Sequence, residues 1–470
     1  MIPYFTHQKN YLDSSSEVPG WGLWWEMGTA KSRAIIENMK WLYGRQKIDG
    51  GLIMAEASVY LNWPRQFALW WPEVTPLIYT SANPPKSRKT IASMLAGDAP
   101  KILLLNVEAL SRESGIAVHT AASFVKDMNY KLMTVVDESN LMGSPKAART
   151  KVIRAIGKSS GYRRLLSGTP GVETPLKMYS QLEFLMPGCT GLTYSQYKQF
   201  VGIHQTVHAG KRKFEQIVGY RRLAWVKNLM NKYGSFVAKT DCHDLPPKLY
   251  ETWNVVLEPE HMKKYQELKK NGMTELTGGY VLPANAMDML YQLHNMVTGF
   301  ARTEFGVQWF SQTRLKSLIE LLSQINGKAI IYSPSRVELE ALDGILSAHV
   351  GSSNIARFHG GIDPVTRNRD VDRFQQDSSC KYFLANQRAA GYSLDLTAAS
   401  YEIYFRNAYS LDIRLQSEDR AHRTNQTKAV TIIDMVSPGT VDVYLLEALR
   451  NKYDIAAYII PFLKRVFENN

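Results

Sequence analysis

Residues 24–36 read WWEMGTAKSRAII. An apolar run, residues 22–25, leads into a tight turn over residues 28–31, and from Ser32 onward the spacing is helical. Strand, loop and helix in that order aim backbone N–H groups and the positive end of a helix at a phosphate. In that setting Lys31 would reach the outer phosphates of a nucleotide, and the Ser32 hydroxyl would ligate Mg²⁺. The usual pattern, G-x-x-x-x-G-K-[ST], has a glycine where this chain has Ala30. Taken alone, the string reads as readily as a surface turn with an incidental lysine. The text around it decides between the two.

Three apolar runs follow in the first half, GLIMAEAS from Gly51, KILLLNVEAL from Lys101 and KLMTVVDESN from Lys131. Strands buried on both faces of a parallel sheet read this way. Helix-compatible segments at residues 31–43 and 63–71 separate them, which gives the alternation of an α/β lobe. A second series begins near Thr313, with RLKSLIELLSQI at helical spacing and KAIIYS, KYFLANQ and AVTIIDMV as strands. Between the two series the chain is basic and aromatic, and residues 188–235 are expected to form a helical insertion without a buried strand. LPPK, residues 245–248, breaks the chain, because proline lacks an N–H and restricts its predecessor. The expected division is a first lobe over residues 1–240, a linker and helical segment over 241–310, and a second lobe over 311–470.

Composition narrows the class. At 470 residues the chain exceeds one ordinary core, and its 45% hydrophobic and 21% charged residues are globular values. No long uncharged apolar run suggests a membrane span or signal peptide, so a soluble, intracellular and monomeric protein without a membrane partner is expected. Cys189, Cys242 and Cys380 form no C-x-x-C pair, which argues against disulfide and zinc frameworks. His204 and His208 lack a third ligand. The net charge of +13 favours a polyanion such as nucleic acid.

Three further motifs add chemistry. The acidic pair Asp137 and Glu138 ends an apolar strand, where one carboxylate can hold a metal while its neighbour polarises water. RRLLSGTP, from Arg163, places hydroxyls after another strand, able to hydrogen-bond to that pair. QSEDRAHRTNQTKAV begins at Gln416, and Arg420 and Arg423, three apart, would share one face of a helix and reach a phosphate.

Together these boxes resemble the superfamily 2 helicase-like ATPases, and within them the Swi/Snf DNA translocases, especially their compact viral or bacterial members. VVDESN with SPKAARTK, LLSGTPGVETPLKMYSQLEFLMPG, ARFHGGIDPVTRNRDVDRFQQD and QSEDRAHRTNQTKAV keep the family's order across nearly the whole chain. The resemblance implies an α/β fold of two tandem RecA-like lobes, parallel sheets flanked by helices, with ATP and Mg²⁺ between them. It implies a DNA-dependent ATPase that moves on double-stranded DNA. A strand-separating DNA or RNA helicase and a catalytically silent nucleic-acid-binding module are the alternatives. The expected compartment is a bacterial cytoplasm, or the host cytoplasm for a viral protein.

By the same resemblance Gln8 reads adenine, Gly28, Thr29, Ala30, Lys31 and Ser32 cradle the phosphates, and Ser32 and Asp137 hold the metal. Glu138 serves the water, Ser167 and Thr169 couple the nucleotide to the lobe, and Gly391 and Asp395 touch nucleotide and DNA. Gln416, Arg420 and Arg423 complete hydrolysis. Backbone contacts without sequence reading are expected from Asn62, Trp63, Arg65, Lys146, Arg149, Ser333, His359, Gly360 and Arg388. The chain departs from the family at Ala30, Asn140, Ala390 and Ser393. Ala30 should tighten the loop, and Asn140 still donates and accepts hydrogen bonds.

Overall fold

A computed structural model describes residues 4–56, 62–79, 89, 91–93, 96–97, 99–112, 115–168, 175–209, 212–242, 246–390, 394–423 and 426–451. The chain divides into two compact units, residues 1–244 and 245–470.

The first unit is built on strands β1 (Gly20–Trp25), β2 (Gly50–Ala55), β3 (Leu77–Ile78), β4 (Lys101–Asn106), β5 (Tyr130–Val136), β6 (Ser160–Leu166) and β9 (Gly234–Val237), all parallel, in the order β3-β4-β2-β5-β6-β1-β9. Leu52, Leu103 and Val136 from the sheet pack with Phe124 and Leu182 from covering helices in one buried cluster. Parallel strands need helical crossovers, so both faces are covered and the strands become continuous apolar runs. The order has one functional consequence. β5, β6 and β1 are neighbours, so the loops after Val136, Leu166 and Trp25 emerge side by side at the carboxyl edge, where open α/β sheets bind ligands.

The segment 188–235 is not purely helical. Between the helices Tyr194–Val201 and Leu223–Lys232 it forms an antiparallel ribbon, β7 (Gly202–Ala209) and β8 (Arg212–Tyr220), and its end leads into β9 beside β1. Ile203 and Val218 are exposed on the ribbon, so no alternation of apolar and polar residues marks it. Gly234 explains the return to the sheet. A Cβ there would lie 2.5 Å from the Gly22 carbonyl oxygen and 2.4 Å from Trp24 Nε1, so only glycine lets β9 close on β1.

The second unit starts earlier than residue 311. β10 (Lys248–Asn254) pairs along its whole length with β19 (Val430–Val436). The hairpins β11 (Thr274–Leu276) with β12 (Gly279–Val281) and β13 (Phe300–Thr303) with β14 (Gly306–Trp309) follow, among the helices Pro259–Asn271 and Ala286–Thr298. With β15 (Lys328–Ser333), β16 (Ile355–Phe358), β17 (Tyr382–Asn386) and β18 (Ala399–Tyr404), the parallel sheet has the order β10-β19-β18-β15-β17-β16. As an edge strand exposing most of its side chains, β10 lacks the apolar run of an inner strand, which is why its text reads as a linker. Ile330 and Ile331 face opposite sides of the sheet, the first packing with Phe383 and Ile432, the second with Leu339 and Ile433.

Candidate active site

The phosphate-loop residues sit where β1 ends. Gly28 has φ +81° and Ala30 has φ +59°, ψ +41°, so a left-handed turn carries the chain into the helix Lys31–Gly44. An L side chain rarely adopts that conformation, and it costs about 1–2 kcal/mol at Ala30. The buried Thr29 donates its hydroxyl hydrogen to the Glu26 carbonyl at 2.8 Å, and the Glu26 carboxylate accepts the Lys239 N–H at 2.8 Å. Lys31 Nζ donates to the carbonyls of Trp25 at 2.8 Å and Glu26 at 3.0 Å. Ser32 lies half-buried in the first helical turn.

The first helix, Thr6–Ser15, fastens this turn from below. Gln8 is fully buried, donates from Nε2 to the Ala30 carbonyl at 3.1 Å and accepts the Phe5 N–H on Oε1 at 3.1 Å. Its amide therefore holds the loop. Its neighbour His7 donates from Nε2 to the Thr29 carbonyl at 2.9 Å and meets the Trp25 ring edge-on. Cys242 Sγ lies 3.3 Å from His7 Nδ1, and burial pushes its thiol up to about 11. No motif singles out His7; its place beside Gln8 is the only sequence signal.

Asp137 and Glu138 are both buried in the bend between β5 and the 3-10 helix Ser139–Leu141. Asp137 accepts from Trp63 Nε1 at 3.1 Å and from the Glu138 N–H at 3.1 Å. Burial raises its pKa, and the opposing pull of Lys31, Trp63 and the Glu138 amide does not fully offset this. Trp63 is 2% exposed and committed to Asp137, so its side chain is withdrawn from any DNA backbone. Glu138 has φ +52°, a second strained non-glycine residue at this edge. Ser139 donates to Gln181 at 2.8 Å, and the Ser167 N–H donates to the Leu23 carbonyl at 3.2 Å, which brings the third motif beside β1. Thr169 lies outside the described residues.

In the second unit the helix Leu411–Glu418 ends before the arginines, so Arg420 and Arg423 do not share a helical face. They lie in a turn, because Asp419 caps the helix through bonds to the carbonyls of Leu415 and Ser417. Arg420 is 1% exposed and donates from Nε to the Gln416 carbonyl at 3.0 Å. Arg423 is half-buried and donates to the Leu394 carbonyl at 2.8 Å. Gln416 is buried. Asp395 is exposed and accepts from Thr397 Oγ1 at 2.8 Å, while Gly391 lies outside the described residues.

Arg414 is the largest surprise. Fully buried, it stacks on Tyr404 at 3.6 Å and pairs with Glu418 at 2.7 Å and Asp434 at 3.1 Å. Lys248 pairs with Glu418 and Asp419, each at 3.2 Å, and His422 Nε2 lies 2.7 Å from the Pro246 carbonyl. The LPPK breaker is thereby bound to the arginine turn. No spacing rule joins residues so far apart in sequence.

Of the residues expected on DNA, Arg65, Lys146, Gly360 and Arg388 are exposed, and Asn62 and Arg149 half-buried. Ser333 is fully buried and bonded to Glu338, so its hydroxyl serves the interior. His359 is buried, and desolvation lowers its pKa.

Comparisons with known proteins place this geometry. A SNF2-related domain matches residues 14–298, and a helicase conserved C-terminal domain matches residues 313–425. The DNA annealing helicase and endonuclease ZRANB3 of Mus musculus is 25% identical over 416 residues, 86% of this chain and 36% of that protein. The probable ATP-dependent DNA helicase CHR23 of Arabidopsis thaliana is 24% identical over 451 residues, 93% of this chain and 41% of that one. The chain thus spans less than half the length of these relatives. Among solved structures, the Sulfolobus solfataricus SWI2/SNF2 ATPase core in complex with dsDNA is similar at 19% identity and a TM-score of 0.44, covering 100% of this chain and 95% of that one. With two parallel-sheet α/β units and the matched domains in order, the chain belongs to the SNF2-related family of helicase-like proteins.

Proposed function

We propose that this chain is a DNA-dependent ATPase motor that moves on duplex DNA. The observation that carries the proposal is the charge interaction of Lys31 with the buried Asp137, which follow β1 and β5, the two strands that flank β6 in one sheet. A cationic loop residue beside a carboxylate that burial leaves undercompensated suits a triphosphate with a divalent cation. The donor set also suits Mg²⁺: Asp137 and the Ser32 hydroxyl offer only hard oxygen ligands, with phosphate oxygens as the remainder. When bound, the cation neutralises charge on the phosphates. The chain's own part is positional. Gly28, Thr29 and Ala30 present N–H groups, Lys31 pairs with phosphate, and Glu138 orients the attacking water.

Gln416, Arg420 and Arg423 are assigned to the hydrolysis step, Arg423 as the group that stabilises developing phosphate charge and Arg420 as its support in the turn. Ser167 and Thr169 relay nucleotide state, and Gly391 and Asp395 serve the same coupling. Arg65, Lys146, Arg149, Gly360 and Arg388, with Asn62 and the His359 main chain, are assigned to backbone phosphates, which gives affinity without sequence reading. The words ATP-dependent and DNA in the names of the relatives support this reading.

The test is ATP turnover measured in parallel with single-stranded, duplex and forked DNA and with RNA. Duplex DNA should stimulate most, and Lys31→Ala and Arg423→Ala should each abolish the stimulated rate. Retained turnover in either variant overturns the site assignment, and unwinding of the fork would replace duplex translocation with strand separation.

A further inference from the structure

Glu402 occupies an unusual place. It lies in β18, paired with Ile330 of β15 on one side and Ile432 of β19 on the other, where a parallel sheet calls for an apolar residue. Its carboxyl group is fully buried. Oε1 accepts the Ala421 N–H at 3.2 Å, and Oε2 has no hydrogen-bond partner among the described residues. Ala421 is the middle residue of the turn that carries Arg420 and Arg423. An aliphatic side chain at 402 would leave that buried N–H without its acceptor. A local choice that opposes packing, set directly under a candidate functional turn, calls for a reason beyond stability.

We propose that Glu402 is a positioning residue that holds the arginine-bearing turn, residues 419–423, from beneath through the Ala421 N–H. The inference rests on the ATPase reading above for its catalytic consequence. The groups facing this carboxyl are Tyr404 on its own strand, Tyr332 on β15, Arg414 and Glu418 on the helix Leu411–Glu418, and Lys248 on β10, with Arg420 acting on Tyr332. Burial, and then the Glu418 charge, push the Glu402 carboxyl up to about 8, against the weaker pull of Lys248, the Ala421 amide and Arg414. The group is therefore neutral at pH 7 and supports the turn without adding a charge to the interior. The Ala421 N–H pulls the pKa down because it favours the ionised acceptor, so the hold persists in either protonation state.

The experiment compares wild type, Glu402→Leu and Glu402→Gln by stimulated ATP turnover from pH 6.5 to 9.5, with Tm and hydrogen exchange at the 420–423 amides. Glu402→Leu is expected to remain folded and to keep its KM for ATP within about twofold but to lose about tenfold or more in kcat, as misplacement of a catalytic group does. Glu402→Gln, which keeps the acceptor oxygen, should restore kcat across this pH range. Wild-type kcat in a folded Glu402→Leu, or a Glu402→Gln as slow as Glu402→Leu, overturns the proposal. Should Glu402→Leu fail to fold, Glu402→Gln decides: wild-type kcat with Ala421 protection kept supports the hold, and loss of either refutes it. If wild type hydrolyses no ATP, the ATPase reading fails by itself, and amide exchange decides: protection at Ala421 must survive in Glu402→Gln and vanish in Glu402→Leu, or persist and refute the hold.

Discussion

At the scale of single residues, the chemistry concentrates where the backbone is strained. Ala30 and Glu138, at the ends of β1 and β5, both have positive φ, and both lie at the candidate nucleotide site. Such strain persists only where surrounding contacts over-determine it, here Gln8 on the Ala30 carbonyl and the Glu138 amide on Asp137. The alanine that departs from the phosphate-loop pattern thus keeps the glycine conformation and stores its cost. Ala30→Gly should stabilise the protein by about 1 kcal/mol, the left-handed penalty less the extra chain entropy of glycine. A urea midpoint unchanged or lowered by this substitution would show that the methyl group packs favourably enough to offset the strain. The motif residues Lys31, Asp137, Glu138 and Gln416 were legible because they stand at fixed places in ordered boxes. The burial of Trp63, Ser333 and Arg420 was not, because burial depends on neighbours that arrive from distant segments.

At the scale of elements, strands buried on both faces were easy to read and edge strands were not. β1, β4 and β5 appear as apolar runs, whereas β10 exposes most of its residues and the ribbon of β7 and β8 carries exposed apolar side chains without alternation. A strand with one free edge is not required to be apolar, so its text resembles a loop. β10 nevertheless has a mechanical role. Its first residue, Lys248, is held by Glu418 and Asp419, whose charges raise its pKa despite burial, and the Pro246 carbonyl is held by His422. The start of the second unit and the arginine turn are therefore bonded to each other. Because the raised pKa keeps Lys248 charged well above neutral pH, the pair is fully formed at pH 7. Lys248→Met should destabilise the second unit by about 3 kcal/mol, as removal of one partner from a buried ion pair does. Chemical denaturation followed at Trp253, on the same strand, measures this. A loss below about 1 kcal/mol would mean that Arg414 and Tyr250 hold Glu418 without Lys248.

At the scale of the whole molecule, two α/β units and a net charge of +13 describe a protein suited to a phosphate backbone. Binding of this kind releases counterions, so the affinity for duplex DNA should fall linearly in log K against log salt and be indifferent to base sequence. Titration of labelled duplexes of two unrelated sequences from 50 to 200 mM salt checks both, at affinities expected to fall on the order of 10³-fold or more if six or more phosphates are neutralised. A flat salt response would remove the backbone-contact assignment. Among the described residues no helix is long and apolar enough to cross a membrane. By itself the sequence determined the α/β class, the two series of strands, the order of the motifs and the residue types that chemistry needs, because periodicity and local spacing are properties of the chain. Only the tertiary structure decided that Gln8 braces the loop, that Trp63 serves Asp137, that the LPPK segment is tied to His422 and that a neutral carboxyl lies under Ala421. Each of these depends on which distant segments share one desolvated space, and that is set by sheet order, which no local pattern encodes.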